Sequence, residues 1–374
     1  MSNAPKSVAF LVWRDTLHPD GGGSEVYVEH MAGFLARAGH EVTIVCAAHD
    51  RAPADEVRGG VRFRRRGGWL TVYLHGLLWL LSPSGRRTDV VVDVQNGLPF
   101  CSRLVRRRGL RILVHHVHRE QWHIIYPGLR GRLGWWVESW LAPRLYRDVD
   151  YLTVSESSRD DLIGLGVDAD RISVVRNGID VPHPSRITPR DLAPRICVLG
   201  RLVPHKQVEH ALTVLAALRA RHPGVRLDVI GDGWWRDRLD AEAARLELGD
   251  AVIFHGQVSD DCRDQLLDAS WLMLAPSVKE GWGIAIMEAA ARSVPALAYL
   301  SGGGVTESIQ DDVTGLLVHD LDELIRETDR LLGDREVRLS MGKAARERAE
   351  SFDWASSGRR FAEQILGPAG QRLP

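Results

Sequence analysis

The chain has 374 residues, of which 44% are hydrophobic and 26% charged, enough for two or three domains with sizeable cores. This composition excludes a mainly disordered chain, and the 36 glycines and 17 prolines follow no period, which excludes collagen-like and coiled-coil fibres. The formal net charge of −1 provides no general basic signal, so we expect no nucleic-acid partner.

The first part of the chain alternates short apolar runs with amphipathic segments. The predicted elements, in chain order, are strand 8–12, helix 24–38, strands 41–47, 89–94, 111–114 and 150–154, and a helix that starts at 155 and ends near 164. The strands are rich in β-branched residues, whereas the first helix carries apolar residues at helical spacing. Strands that alternate with helices predict parallel βαβ units and a doubly wound α/β sheet.

Four prolines fall within residues 181–194, which makes this segment the best candidate for a linker. The alternation then restarts, with strands predicted at 195–199, 226–230, 251–254, 271–274 and 295–298 and helices at 207–221, 235–246, 262–269 and 283–292. Two α/β halves of similar size predict two Rossmann-like domains that face a cleft. We place the N-terminal domain at 1–180 and the second domain at 195–352.

The four cysteines lie far apart and form no C-x-x-C pair. They therefore predict neither a zinc knuckle nor a disulfide framework, and they favour a reducing cytoplasm. The segment Met1–Lys6 leads directly into the first predicted strand, without the long apolar region and small-residue cleavage site of a signal peptide. No run reaches the roughly 18 apolar residues of a spanning helix, so we expect a cytoplasmic protein.

The strongest chemical signal is the segment Glu280–Glu288, which follows a predicted strand and a turn. A glycine-rich turn at a helix start exposes backbone N–H groups, here at Gly283 and Ile284, and such groups suit an anion such as phosphate. Glu280 would lie at the mouth of the site, and Glu288 could reach back from the helix. The alternative is that one glutamate caps the helix and the other lies on the surface.

A second signal follows strand 195–199, where Arg201 and Lys206 stand five residues apart. Ligands of open α/β sheets bind at this edge of the sheet, and a guanidinium with an ammonium suits a diphosphate. The alternative is a solvated basic loop. Lysine occurs only four times in the chain, against 44 arginines, so a lysine kept here favours a specific role.

Three weaker signals accompany these. Glycine-containing turns occur at 231–233 and 21–24, but neither has the G-x-G-x-x-G spacing of a dinucleotide site. A nicotinamide-dependent oxidoreductase is therefore disfavoured. Three histidines lie within 115–118, without a carboxylate or cysteine at metal-ligand spacing, so we predict no metal site. One histidine facing the cleft, with the others structural, is the preferred interpretation.

Together these features resemble the retaining glycosyltransferases of family 4, which have the GT-B fold, over essentially the whole chain. The matching motifs are Glu280-x7-Glu288, Gly200-Arg201-Leu202 with Lys206, Gly231-Asp-Gly233, Asn177–Asp180, Phe254–Val258, Gly303–Glu307 and Thr314–Val318. Two positions depart from the usual pattern of the family: Trp282 stands where phenylalanine is commoner, and Gln207 stands where glycine usually follows the lysine. So many motifs in the same order make chance agreement very improbable.

The resemblance implies a retaining, metal-independent transfer of a sugar from a nucleotide-diphosphate sugar to an acceptor hydroxyl, with no cofactor besides that donor. The implied catalytic residues are Glu280, Arg201, Lys206 and His115, with His116 and His118 as alternatives for the histidine. The implied donor-binding residues are Gly22, Gly23, Arg201, Lys206, Gly231, Val258, Glu280, Gly281, Trp282, Gly283, Ile284 and Glu288. The resemblance also implies that a final helix at 353–374 crosses back to the N-terminal domain.

In these relatives the two cations neutralise the departing diphosphate, which is where negative charge develops in the transition state. Glu280 would bind the transferred sugar and Glu288 the ribose, so the pair differs from the two flanking carboxylates of a hydrolase. Two other functions stay open, a GT-B sugar-nucleotide epimerase and a non-catalytic nucleotide-sugar or membrane-surface binding protein. The binding protein would be expected to have lost Glu280, Arg201 or Lys206, and all three are present.

The N-terminal domain also has an unusual local composition. Residues 51–147 contain 18 arginines but six acidic residues, and six of the twelve tryptophans of the chain. Arginines beside interfacial aromatic residues suit an anionic membrane surface, which would favour peripheral membrane contact and a lipid-linked or membrane-proximal acceptor. The alternative is that segments 69–81 and 135–145 are core helices with arginines on a solvated face. The acceptor itself is left unidentified.

Overall fold

A computed structural model describes residues 5–367, and the predicted ranges 1–180 and 353–374 extend beyond it by residues 1–4 and 368–374. The chain divides into two compact units. The first unit contains residues 5–178 and 354–367, and the second contains residues 179–353. The segment 181–194, predicted as a linker, therefore belongs to the second unit.

The first unit is built on an eight-stranded sheet in the order β3-β4-β2-β1-β5-β6-β7-β8. Its strands are β1 Ser7–Leu11, β2 Glu41–Cys46, β3 Asp55–Arg58, β4 Val61–Arg65, β5 Val90–Gln95, β6 Leu110–Val114, β7 Asp150–Thr153 and β8 Ile172–Val174. All neighbours pair in parallel except β3 with β4, which form an antiparallel hairpin. Every residue of β5 is buried, as expected for a central strand covered on both faces.

Helices cover both faces of this sheet. They are α1 Gly23–Arg37, α2 Thr71–Leu81, α3 Pro83–Arg87, α4 Arg119–Ile125, α5 Leu129–Trp136, α6 Ala142–Leu145 and α7 Glu156–Gly164, with a π-helical turn at Val137–Leu141 and 3-10 turns at Ser102–Leu104 and Ala169–Arg171. The Ser155 hydroxyl accepts a hydrogen bond from the backbone N–H of Ser158 at 3.0 Å. This N-cap is why α7 starts where the serine-rich sequence predicted it.

The second unit contains a six-stranded parallel sheet in the order β11-β10-β9-β12-β13-β14. Its strands are β9 Arg195–Leu199, β10 Arg226–Ile230, β11 Val252–Gly256, β12 Leu272–Ala275, β13 Ala296–Tyr299 and β14 Gly315–Val318. Its helices are α8 Val208–Leu218, α9 Arg236–Arg245, α10 Asp260–Ala269, α11 Ile284–Ala290, α12 Val305–Ser308, α13 Leu321–Gly333 and α14 Arg335–Ala349, with 3-10 turns at Pro184–Arg186, Pro204–Lys206, Gly249–Ala251 and Leu300–Gly302. Both units are doubly wound α/β domains, in agreement with the predicted fold class.

The proline-rich segment 181–194 packs on the second unit. The guanidinium of Arg190 donates to the carbonyl oxygens of Ser270, Arg292 and Ser293. The backbone N–H of Thr188 donates to Asp268 at 2.8 Å. Because these bonds satisfy polar groups that are largely out of water, the segment has a fixed path along the surface of its unit.

The last helix, α15 Trp354–Leu366, belongs to the first unit. The Phe361 side chain is fully buried and stacks on Phe10 of β1, with ring centroids 5.9 Å apart. Trp354 stacks on His30 of α1 at 3.8 Å. Gly358 lies so close to α1 that an added Cβ would be 2.4 Å from the Phe34 ring, so α15 completes the core of the first unit.

Replacing Phe361 by alanine should lower the free energy of unfolding of the first unit by about 3–5 kcal/mol, because it empties a buried aromatic site. The matched control is Arg360→Ala on the exposed face of the same helix, which we expect to change stability by less than about 0.5 kcal/mol. Urea denaturation followed by circular dichroism measures both. Equal midpoints for the two variants would contradict the assignment of α15 to this core.

Candidate active site

Three glycines bring the turns after β9 and β10 together in the second unit. A Cβ at Gly231 would lie 2.1 Å from the carbonyl oxygen of Gly200, and one at Gly233 would lie 2.3 Å from that of Leu202. Gly231 also has a φ of +126°. Only glycine allows this approach, so the motifs 200–206 and 231–233, separate in the sequence, become one backbone surface.

Lys206 and Glu280 meet at the carboxyl edge of this sheet. The Lys206 ammonium donates to Glu280 Oε1 at 2.5 Å, and the Ser277 hydroxyl donates to the same oxygen at 2.6 Å. Both charged side chains keep about a fifth of their surface exposed, 21% and 18%. Gln207, where the resembling family has glycine, adopts a left-handed φ of +48°, which explains why glycine is usual there.

Backbone hydrogen bonds fix the loop that carries Glu280. Its N–H donates to the Gly302 carbonyl at 2.8 Å, and its own carbonyl accepts from the Gly304 N–H at 3.1 Å. The N–H of Val278 donates to the His205 carbonyl at 2.9 Å. Backbone hydrogen bonds therefore join three separate motifs, and they fix the position of the loop from which the Glu280 side chain extends.

Trp282 has a packing role in the same loop. Its side chain is 2% exposed, and its ring lies edge-on to Phe352 with centroids 5.2 Å apart. The Ser308 hydroxyl donates to its carbonyl. Gly283 follows with a φ of +90°, and α11 begins at Ile284. A ligand at Trp282 would therefore reach backbone rather than the indole.

Glu288 has a different partner from Glu280. Its carboxylate lies 3.2 Å from the guanidinium of Arg263 on α10, which also pairs with Asp260 and Asp264. Burial, opposed by Arg263 and reinforced by the two aspartates, raises the pKa of Glu288 to about 7. The motif thus contains two carboxylates in unlike electrostatic settings.

The sequence did not predict Arg263, because it lies in an acidic helix start that carries no motif. The remaining predicted residues of this unit are Gly281, which is buried, Arg201 and Val258. Arg201 is partly buried directly after Gly200, and Val258 is partly buried between β11 and α10.

The predicted residues of the first unit lie at the carboxyl edge of its own sheet. Gly22 is the N-cap of α1, and its N–H donates to the buried Glu25 carboxylate at 2.8 Å. Gly23 opens the helix. Arg14, after β1, lies 3.5 Å from Glu25. The glycine turn is therefore anchored by a buried ion pair.

Among the three neighbouring histidines, His115 stands apart. It is 6% exposed, and neither ring nitrogen has a hydrogen-bond partner among residues 5–367. Burial lowers its pKa to about 4, so the imidazole is neutral at pH 7. By contrast His116 pairs with Gln121 at 3.2 Å, and His118 pairs with Glu138 at 3.0 Å.

Two further buried polar side chains lie at the same edge, and sequence reasoning missed them. Gln95 ends β5 and Thr153 ends β7, both in register with Val114 of β6, directly before His115. Within the described chain, the Gln95 Oε1 and Thr153 Oγ1 atoms are buried without a partner. Buried unsatisfied groups are rare and call for a ligand or water, so this edge can accept a polar molecule.

No group of three or more histidine, cysteine, aspartate or glutamate side chains could hold a metal ion in the part of the chain that the structure describes. The polar groups at both sheet edges are instead ammonium, guanidinium, imidazole, carboxylate and backbone groups. They can bind an anion in the second unit and hydroxyl groups in either unit.

Comparison with known proteins connects both units to one class. Residues 185–348 match the family of glycosyl transferases group 1, and residues 21–182 match Glycosyltransferase Family 4. A glycogen synthase of Mycobacterium tuberculosis is 28% identical to the chain, with 94% of this chain and 93% of the relative aligned.

Solved structures agree on the fold. The chain is similar to sucrose-phosphate synthase from Thermosynechococcus elongatus, with a TM-score of 0.82, 18% identity and coverage of 96% of this chain and 98% of the other. It is also similar to the Anabaena protein HepE in complex with UDP and glucose, with a TM-score of 0.74, 19% identity and coverage of 96% and 99%. The chain therefore belongs to the group 1 glycosyltransferases of GT-B fold, enzymes that transfer a sugar from a nucleotide sugar.

Proposed function

We propose that the protein transfers a sugar from a nucleotide-diphosphate sugar with retention of anomeric configuration and without a metal ion. The observation that carries the proposal is the Lys206–Glu280 pair, 2.5 Å apart and partly exposed at the carboxyl edge of the second sheet. Arg201 stands in the same loop. A cation beside a carboxylate supplies one group for a departing phosphate and one for sugar hydroxyls.

The ammonium of Lys206 has the charge that the leaving diphosphate needs. Negative charge grows on the bridging oxygen as the glycosidic bond breaks, and a fixed cation stabilises that charge without reorganisation. A diphosphate at this position would share Lys206 with Glu280. Both hydrogen bonds that the Glu280 carboxylate accepts reach Oε1, which leaves Oε2 for a hydroxyl of the transferred sugar.

The other motif residues fit the donor as the family resemblance implies. Glu288, held by Arg263, would accept hydrogen bonds from the ribose hydroxyls. The backbone at Gly283 and Ile284 would contact the distal phosphate, Gly231 would flank it, and Val258 would lie beside the base.

His115 supports a hydroxyl-bearing ligand in the first unit. A buried neutral imidazole donates one hydrogen bond from one ring nitrogen and accepts one at the other, and His115 has no partner for either nitrogen among the described residues. Gln95 and Thr153 add unsatisfied oxygens at the same edge. Sugar and acceptor hydroxyls provide the matching donors, and a hydrophobic ligand would leave all of these groups unpaired.

A sugar-nucleotide epimerase of the same fold is the second candidate, because it would need the same donor groups. A thermal-shift screen of UDP-, GDP-, ADP- and dTDP-sugars identifies the donor, with UDP-glucose first because the similar HepE structure contains UDP and glucose. A donor at a hundred times its Kd stabilises the protein by about 2.7 kcal/mol. Product analysis with and without acceptor then decides between the candidates, since an epimerase converts the donor alone.

Replacing Lys206 by alanine should lower kcat at least about a hundredfold, as loss of a preorganised charge-stabilising group does elsewhere. Lys343→Ala is the matched control, because this lysine is 80% exposed on α14, and its turnover should not change. The double variant with Arg201→Ala should fall by less than the product of the two single effects, since both groups serve one leaving group. Near-normal turnover of Lys206→Ala would exclude the proposed role.

Chelation should leave activity intact. The proposed charge-stabilising groups are Lys206 and Arg201, so dialysis against EDTA should change turnover by less than about twofold, and added magnesium or manganese should not raise it. Assays with and without EDTA on one enzyme batch measure this. Full loss on chelation that is restored by a divalent ion would overturn metal independence.

The affinity for a nucleotide sugar should increase as the pH rises through about 7. Glu288 is half protonated near that pH, and its ionised form is the better acceptor for ribose hydroxyls, so donor Kd should fall between pH 6 and about pH 8. A nucleotide sugar is the right probe, because its diphosphate does not titrate in this range. Glu288→Gln should remove the pH dependence, and an unchanged profile in that variant would contradict it.

A further inference from the structure

Helix α2 is apolar on two opposite sides. Thr71–Leu81 contains no charged residue, and one side, including Val72 and Leu80, is buried against the first unit. The other side carries Leu74, Leu78 and Leu81, with Leu70 just before the helix, and these four leucines are 44–58% exposed. A surface helix normally has a polar outer face, so this outer stripe needs a partner.

A second stripe of the same kind lies on α5 and the π-helical turn that follows it. Leu129, Leu133, Trp136 and Trp140 recur at helical spacing and are 44–79% exposed. The two tryptophan rings stack with centroids 5.1 Å apart. An ordinary protein surface exposes apolar residues singly and scattered, whereas here two exposed tryptophans lie beside two exposed leucines.

The two stripes adjoin each other. Trp69, 54% exposed and next to Leu70, stacks on Tyr126 at 6.3 Å, three residues before Leu129. Tyr126 in turn lies against Trp122, whose ring fills the space beside Gly134 of α5. The stripes and Trp69 together are called the Leu-Trp surface below.

The charges around the Leu-Trp surface are positive. Arg130 and Arg132 are exposed between its leucines on α5, and Arg144 lies 4.4 Å above the Trp140 ring. Exposed arginines also end α3. Residues 69–147 contain 12 arginines and four acidic residues. Two of those acids, Asp93 and Glu138, are buried and engaged in hydrogen bonds.

We propose that the Leu-Trp surface docks on an anionic lipid bilayer. Leucine and tryptophan side chains enter the boundary between headgroups and acyl chains, while arginines beside them bind lipid phosphates. The positive rim selects this occupant over a second copy of the chain, since two like-charged rims would repel. This proposal concerns the location of the enzyme, and it does not depend on the proposed donor chemistry.

The surface does not require a spanning segment. Among residues 5–367, each helix is either too short or too polar to traverse a bilayer. Contact is made by side chains that are already exposed, so we expect binding that is reversible and sensitive to salt, because the arginine contribution is electrostatic. An enzyme held there would meet acceptors that are linked to lipid or lie at the membrane.

Vesicle flotation of the full chain tests the proposal. The protein should float with phosphatidylcholine vesicles that contain phosphatidylglycerol, less with phosphatidylcholine alone, and less again at high salt. Leu74→Glu with Leu133→Glu should reduce the fraction bound about tenfold or more, because both charges would enter the apolar boundary. Leu192→Glu is the matched control, since Leu192 is 97% exposed on the second unit, and its flotation should equal that of the unchanged protein.

The arginines can be tested separately. Arg130→Gln with Arg132→Gln should lower binding to anionic vesicles about 25-fold, at about fivefold for each basic residue. Arg326→Gln with Arg335→Gln, exposed on the second unit, should have no effect. Failure to float on anionic vesicles at low salt would overturn the proposal. A dimer in sedimentation velocity that Leu133→Glu dissociates would also overturn it and assign the surface to a second copy.

Discussion

The close approach of the backbone at Gly200 and Gly231 is the constraint on which the second unit's site depends. Parallel strands bring their carboxyl ends to one edge, but ordinary side chains would keep the turns apart. Without Cβ atoms at 231 and 233 the turns touch, and the loop with Lys206 is held in reach of Glu280. A charge pair that is 74 residues apart in the sequence therefore results from backbone sterics rather than from a helix or strand that carries both groups.

The same motif then places two carboxylates in contrasting surroundings. Glu280 faces an ammonium and a hydroxyl at the sheet edge, while Glu288 pairs with a guanidinium that two aspartates share. Their chemistry differs because their neighbours differ, although both are glutamates eight residues apart in one motif. In the first unit, burial lowers the pKa of His115, whereas burial raises the pKa of Glu288 in the second. In both cases burial disfavours the charged form.

The sequence predicted those parts of the structure that short-range physics determines. Strands β9 and β10 have the predicted limits, because buried β-branched runs end there at glycine or polar turns. The hairpin β3–β4 was not predicted, although the sequence Gly59-Gly60 is typical of a hairpin turn. Both glycines adopt the positive φ angles that such a turn requires. The pairing of Arg263 with Glu288, and the placement of Gln95 and Thr153 at the His115 edge, depend on which helices and strands become neighbours. Residue spacing carries no such information. Likewise, the apolar pattern of 69–81 favoured a helix but could not show that four of its six leucines are exposed.

The position of α15 has a consequence for how the protein is made. The first unit is discontinuous, since 175 residues of the second unit separate its last helix from the rest. During synthesis Phe10, Tyr27 and Phe34 leave the ribosome long before Phe361 and Gly358, which cover them in the finished structure. Until then these aromatic side chains lack the helix that covers them, whereas the second unit is a continuous segment that can fold as soon as it is translated. The first unit can therefore complete its core only after the whole second unit has been translated.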